Sequence, residues 1–258
     1  KQKIQDRTSA NKTLAKSSTK TFKIPANTEI PRLKEKRQEQ VIKHEGYTVS
    51  YNSEYRIANW VAYELTATEA KSKKTERSNK FVPDPQVKGS TAMNEDYTRS
   101  GYDRGHLAPA GDMKWDAEAM EQSFFMTNIC PQMKSLNSGA WMRLEEKCRN
   151  WARIDSAIVI VAGPVLSDEL TETIGSTGIV VPERFFKVIL SPYANPPRAI
   201  GFIMNNGYVE GGMQKAAVSV DSVEKVTGHD FFSQLPDSIE EQVEAECRFH
   251  YWSTLKAR

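Results

Sequence analysis

The order of short motifs between residues 103 and 145 constrains the fold of this chain more than any other feature. Residues 103–112 read Asp-Arg-Gly-His-Leu-Ala-Pro-Ala-Gly-Asp; Asn128-Ile129-Cys130-Pro131-Gln132 and then Leu136-Asn137-Ser138-Gly139-Ala140-Trp141-Met142-Arg143-Leu144-Glu145 follow. Glycine and proline bracket the first run, so its backbone is shaped and not free. After it comes a helix predicted over Asn137 to Arg153, because Trp141, Leu144, Cys148 and Trp151 recur at helical spacing and form one apolar stripe. Asn137, Trp141 and Glu145 are four apart, which puts Asn137 and Glu145 within about 80° of each other around the axis. Amide and carboxylate then face one space while the stripe packs on a sheet.

The residue types in this stretch suit metal-assisted phosphodiester hydrolysis. His106 is one of four histidines, and a neutral imidazole takes a proton from water near neutral pH; a histidine without context is more often structural, as we read His44, His229 and His250. Asn137 offers a hard, neutral oxygen acceptable to Mg2+, although by residue type alone it is also a good helix N-cap. Glu145 suits a carboxylate that holds a metal through water, or an i,i+4 partner of Arg149. Arg104, Arg77 and Arg149 are candidate phosphate contacts, because a guanidinium grips two phosphate oxygens. Arg77 reads equally well as a solvated loop residue. Asn128 is either a site residue or a turn residue before Pro131, and Asp112 has no assigned role.

Taken together, Asp-Arg-Gly-His, Asn-Ile-x-Pro-Gln and Leu-Asn-x-Gly-x-Trp-x-x-Leu-Glu make the chain resemble the DNA/RNA non-specific endonucleases of the ββα-metal class. Trp60-Val61-Ala62-Tyr63-Glu64-Leu65 is similar to that family's first core strand, and the similarity runs from about Tyr47 to Trp252. The resemblance implies a single α+β domain with a central antiparallel sheet and a ββα-metal finger, with His106 at the end of the finger's second strand. It further implies His106 as general base, Asn137 as the direct protein ligand of a single Mg2+ (Mn2+ substituting), and Glu145 as holder of a metal-bound water. Arg104 carries phosphate charge, Asn128 helps orient the site, and Asp103 shapes the motif. The implied substrates are DNA and RNA, cut with little sequence preference to leave 5′-phosphate ends. A phosphodiesterase acting on small molecules and an inactive nucleic-acid-binding relative are the competing readings. A zinc site has little support, since no cysteine lies at finger spacing from another cysteine or a histidine.

Composition adds a charge asymmetry. Net charge is +2, but residues 1–43 hold 12 basic and 4 acidic residues, a balance of +8, leaving −6 for the rest. We therefore expect a basic, flexible tail over residues 1–43, with a short helix across Pro31 to Lys43, and the endonuclease domain over 44–258. Basic surface in the acidic body is expected to be local to His106. No apolar run approaches the length of about 18 residues that a membrane helix needs. Cys130, Cys148 and Cys247 form no CxxC pair; one bridge with a free thiol and three buried thiols are both open. The chain begins at Lys1, which a removed signal peptide and a shortened chain would both explain; the resemblance implies an exported bacterial enzyme, secreted or periplasmic, with its signal removed.

Further strands are expected at Tyr47 to Tyr55 (an edge strand), Ile57 to Thr66, Ala157 to Ala162, Arg184 to Leu190 and Ala199 to Met204. Further helices are expected at Asp116 to Phe125, Ser219 to Thr227 and Ile239 to Leu255.

Overall fold

The computed structural model describes residues 23–255 apart from 35 and 168. A seven-stranded antiparallel sheet runs in the order Ala217–Val218, Arg198–Asn205, Arg184–Ser191, Ala157–Pro164, Ile57–Thr66, Thr48–Asn52, Gln40–Lys43. Its central strands are near-continuous apolar runs because both faces are covered. Ala157–Pro164 is buried at every position. Along Ile57–Thr66 the side chains divide as period-2 alternation requires: Val61, Tyr63 and Leu65 join one core, Trp60 and Ala62 the other.

The first core lies under the long helix Met142–Asp155, whose Leu144, Cys148 and Trp151 are buried together with Trp141. The second lies under the helices Val220–Thr227 and Asp237–Ala245. Local signals fix the helix ends. Ser219 accepts a hydrogen bond from the Ser222 amide, and Gly228 stops that helix with φ +71°. Asp116 caps Ala117–Gln122 through the amides of Glu118 and Ala119.

Beside the sheet stands the finger. Asp103–His106 pairs antiparallel with Ile129–Gln132, with His106 opposite Ile129. His106 thus ends the finger's first strand, not its second: residues 107–128 form an excursion inserted between the two strands. Gly105 sits where a Cβ would run into the buried Gln132 side chain, so a larger residue would have to displace it.

Four other expectations change. The helix over 137–153 is interrupted: Leu136–Trp141 forms a wider π-type turn around the non-helical Gly139 (φ −111°, ψ −115°), and the α-helix begins at Met142. The stretch 239–255 holds two helices, Asp237–Ala245 and Phe249–Thr254. Among the described residues no helix crosses 31–43. Arg32–Leu33 pairs with His229–Asp230, and Gln40–Lys43 forms the sheet edge, so Thr48–Asn52 is one strand in from it. The part of the expected tail before residue 23 lies outside the described residues. All three cysteines are free thiols, Cys130 and Cys148 buried and Cys247 exposed.

Residues just before Lys43 are built into the fold. Ile42 is buried, the Gln38 carbonyl accepts from Asn59, and Glu39 accepts from Ser50. Burying one aliphatic side chain contributes about 1.5–3 kcal/mol, and in a domain of this size 1 kcal/mol moves Tm by about 2–4 °C. Deleting residues 1–43 should therefore lower Tm by at least about 3 °C in a thermal melt; an unchanged Tm would show that this edge contributes nothing.

Candidate active site

The finger, the excursion and the start of the long helix enclose a cleft of about 350 Å3 lined by Arg77, Arg104, His106, Pro109, Ala110, Gly111, Asn137, Ser138, Met142, Glu145, Glu146 and Arg149. Six of the seven residues singled out from the sequence line this one space. The seventh, Asn128, lies outside it and fully buried. Its Oδ1 accepts from the Ala108 amide at 2.9 Å, and its Nδ2 donates to the carbonyls of Ala108 and Ser123, both at 2.8 Å. With every bond spent on backbone, Asn128 clamps the segment that leaves His106.

His106 is 7% exposed and packed edge-on against Phe124, with ring centroids 4.8 Å apart, and against Phe81 at 5.6 Å. Its carbonyl accepts from Trp141 Nε1 at 3.0 Å. Burial, with the nearby Arg77 charge, pushes the imidazole down to about 3. The ring is neutral at physiological pH, and its Nε2 has no hydrogen-bond partner among the described residues.

Asn137 donates from Nδ2 to Asp103 Oδ2 at 3.0 Å. This bond fixes which way the amide points and leaves Oδ1 as the atom on offer. Asn137 is therefore tied to the first finger strand and caps no helix.

Glu145 does not pair with Arg149. Arg149 Nη1 binds Asp112 Oδ1 at 2.8 Å, and Tyr63 donates its hydroxyl to Asp112 Oδ2 at the same distance. The longer reach to Asp112 wins because Asp112 is buried and would otherwise leave an uncompensated charge. Burial pushes the Glu145 carboxyl up to about 7, with Asp112 adding to the rise while Lys187, Arg149 and Arg77 oppose it.

Each candidate arginine is tethered by part of its guanidinium and open elsewhere. Arg104 donates through Nε to Asn94 Oδ1 at 2.6 Å and through Nη2 to the Asn94 carbonyl at 2.8 Å. Arg77 donates through Nε to Asn79 and lies 5.0 Å over the Phe124 ring.

Two residues of this neighbourhood carry no role in the sequence reading. Asp112 closes the motif but stands alone in sequence, and its partners come from 49 and 37 residues away. Lys187 is fully buried in a central strand, 4.4 Å above the Trp141 ring, and its Nζ has no hydrogen-bond partner among the described residues. A lysine inside Phe-Phe-Lys-Val-Ile-Leu was a legible signal, because an apolar strand buried on both faces has no routine use for a charge.

A family profile described as DNA/RNA non-specific endonuclease matches residues 24–238. The chain belongs to this family. It is 35% identical over 204 residues to a protein named "Nuclease EXOG, mitochondrial" from Danio rerio, covering 73% of this chain and 60% of that protein. It is 32% identical over 216 residues to the "Mitochondrial nuclease" of Saccharomyces cerevisiae, covering 75% and 66%. The fold matches a chain in the crystal structure of the EndoG/EndoGI complex with TM-score 0.71 and 30% identity, over 77% of this chain and 88% of that one. This chain spans about three-fifths of the length of the EXOG relatives. The same relatives overturn the expectation of a secreted or periplasmic bacterial enzyme, since EXOG and the yeast nuclease are named as mitochondrial.

The buried imidazole makes a pH prediction. Unfolded, His106 takes up a proton near its ordinary 6.5; folded, it resists until about 3. Its contribution to stability is present above pH 6.5 and is lost as pH falls towards 3. Glu145, raised in the folded state, acts in the opposite sense, so the comparison must be between proteins that both keep it. In urea unfolding from pH 7 down to 4, the wild type should lose more stability than His106→Gln. Parallel losses would mean that His106 is not held neutral by the fold.

Proposed function

We propose that this chain is a metal-dependent endonuclease that hydrolyses phosphodiester bonds in DNA and RNA with weak sequence preference, leaving 5′-phosphate ends. The observation that carries the reading is the convergence on one cleft of a neutral histidine, an oriented amide, a carboxylate and three arginines. The mitochondrial names of the relatives support a mitochondrial setting.

The donor set fits a hard divalent ion. Asn137 has its amide nitrogen spent on Asp103 and its oxygen left over, and Glu145 lines the same cleft. Asn137 Oδ1, with Glu145 acting through water, would hold Mg2+, for which Mn2+ can substitute. When bound, the ion supplies Lewis-acid stabilisation of charge on the phosphate and the departing 3′ oxygen.

The protein's own groups do the rest. His106 Nε2, neutral at physiological pH, takes a proton from the attacking water, and the phosphate charge that enters the cleft with substrate offsets the Arg77 charge and favours the protonated ring. Phe81 and Phe124 pack against the ring and hold it in place. Arg104, Arg77 and Arg149 offer their untethered guanidinium nitrogens to phosphate oxygens and stabilise charge as it grows. Asn128 fixes the backbone that follows His106 and acts on the chemistry only through it. All of these contacts address the sugar-phosphate backbone, which supports cleavage of DNA and RNA alike with little discrimination by base.

Purified protein should degrade plasmid and RNA, and chelator should stop both; RNA left wholly intact would exclude the sugar-non-specific reading. His106→Ala should lose about 10² to 10⁴ in rate, the scale of general base catalysis, while keeping Mg2+ and nucleic-acid binding. Asn137→Ala should instead lose metal affinity in a calorimetric titration and regain part of its rate with excess metal. Loss of metal affinity in His106→Ala and its retention in Asn137→Ala would reverse the two roles.

A further inference from the structure

On the sheet face away from the cleft, the helix Val220–Thr227 places Asp221 and Glu224 one turn apart, and the helix Asp237–Ala245 brings Glu244 against them. One carboxylate oxygen from each of the three lies within 4.8 Å of the others. Asp230 and Glu240 add negative charge at the same spot. Lys34 partly offsets it, with Nζ 2.9 Å from Glu224 Oε2 and 3.6 Å from Asp230 Oδ1, but the lysine side chain is half exposed.

Acidic residues clustered on neighbouring helices are common without any ligand. The burial of Glu244 sets this cluster apart. Four acidic residues are buried among the described residues: Asp84, Asp96, Asp112 and Glu244. The three aspartates are hydrogen-bonded, Asp84 to His44 and Thr127, Asp96 to Thr177, and Asp112 to Tyr63 and Arg149. Glu244 is 7% exposed, and its Oε1 is shut off from water with no partner among the described residues. A buried polar atom left unpaired is costly, and native structures retain few of them.

We propose that Asp221, Glu224 and Glu244 form a binding site for a hard divalent cation of the Ca2+ type, which ties the helices Val220–Thr227 and Asp237–Ala245 together remote from the catalytic cleft. An all-oxygen, all-carboxylate set selects a hard ion, and Ca2+ tolerates the irregular geometry of ligands drawn from two helices better than Mg2+ does. Burial and the carboxylates of Glu224, Glu240, Asp221 and Asp230 push the Glu244 carboxyl up to about 9. Glu224 Oε1 already accepts from the Phe231 amide. The ion must therefore compete with Lys34 for Oε2, and the half-exposed lysine chain is free to withdraw into water.

The test uses the full chain carrying Asn137→Ala, which weakens the metal site of the cleft. Calorimetric titration with CaCl2 near pH 7.5 should show one Ca2+ per chain, and Ca2+ should raise Tm. Adding Glu244→Gln or Asp221→Asn should remove both the binding heat and the Tm rise. Glutamine has the shape of the protonated acid, so Glu244→Gln should fold and melt near the parent in the absence of Ca2+; Asp221→Asn gives an independent check. Lys34→Met should tighten binding by removing the competing cation. No Ca2+ heat up to millimolar concentration, or binding undiminished in both carboxylate variants, would overturn the proposal.

Discussion

The wide turn Leu136–Trp141 that leads into the long helix holds the finger hairpin at both ends of one short strand. Trp141 donates its indole N–H to the His106 carbonyl, and Asn137 donates its amide to Asp103. A two-stranded hairpin of four residues a side has little stability of its own, so these two bonds, with the packing around them, decide where the imidazole stands. They also explain the wide turn at Leu136–Trp141. A regular helix from Asn137 onward would set Asn137 and Trp141 at a fixed angle, whereas the break at Gly139 lets each side chain meet its own end of the strand. From the other side, Asn128 clamps Ala108, and the buried His44–Asp84 pair holds Thr127 next door. The candidate base is thus positioned from two directions, and of the groups that do so Asn137 alone also lines the cleft.

Electrostatics within the cleft follows from a choice of partners. Asp112 takes both Arg149 and Tyr63, which leaves Glu145 without an ion pair and in a setting where it is easily protonated. The buried Lys187 lies behind Glu145 and lowers the cost of its negative charge, while the Trp141 ring face meets the ammonium. A carboxylate with no committed partner but a cation in reserve remains available to a bound metal and its water.

Much of this was legible from residue patterns alone. Alternation in Ile57–Thr66 and the apolar runs at Ala157, Arg184 and Ala199 marked the sheet, because period-2 and fully buried strands leave distinct signatures. The Trp141–Trp151 stripe marked the helix, and motif order brought His106, Asn137, Glu145 and the arginines to one cleft. What failed shares a physical cause. The strands Arg32–Leu33 and Gln40–Lys43 are short and polar edge elements, held by partners far along the chain, so charge composition made them look like tail. The Arg149–Asp112 pair overrode the local i,i+4 geometry because burial raises the cost of leaving an aspartate alone. Where Gly139 interrupts the helix, apolar spacing continues unbroken on either side and conceals the kink.

Gly111 lies where the segment after His106 passes close to Arg149. A Cβ at this position would stand 2.9 Å from Arg149 Nη1, the nitrogen that binds Asp112. An alanine there would require the end of the Arg149 side chain to shift, and that end is the one held by Asp112. A residue with no chemical group of its own thus borders the ion pair, and the space it leaves is what lets the guanidinium reach its carboxylate.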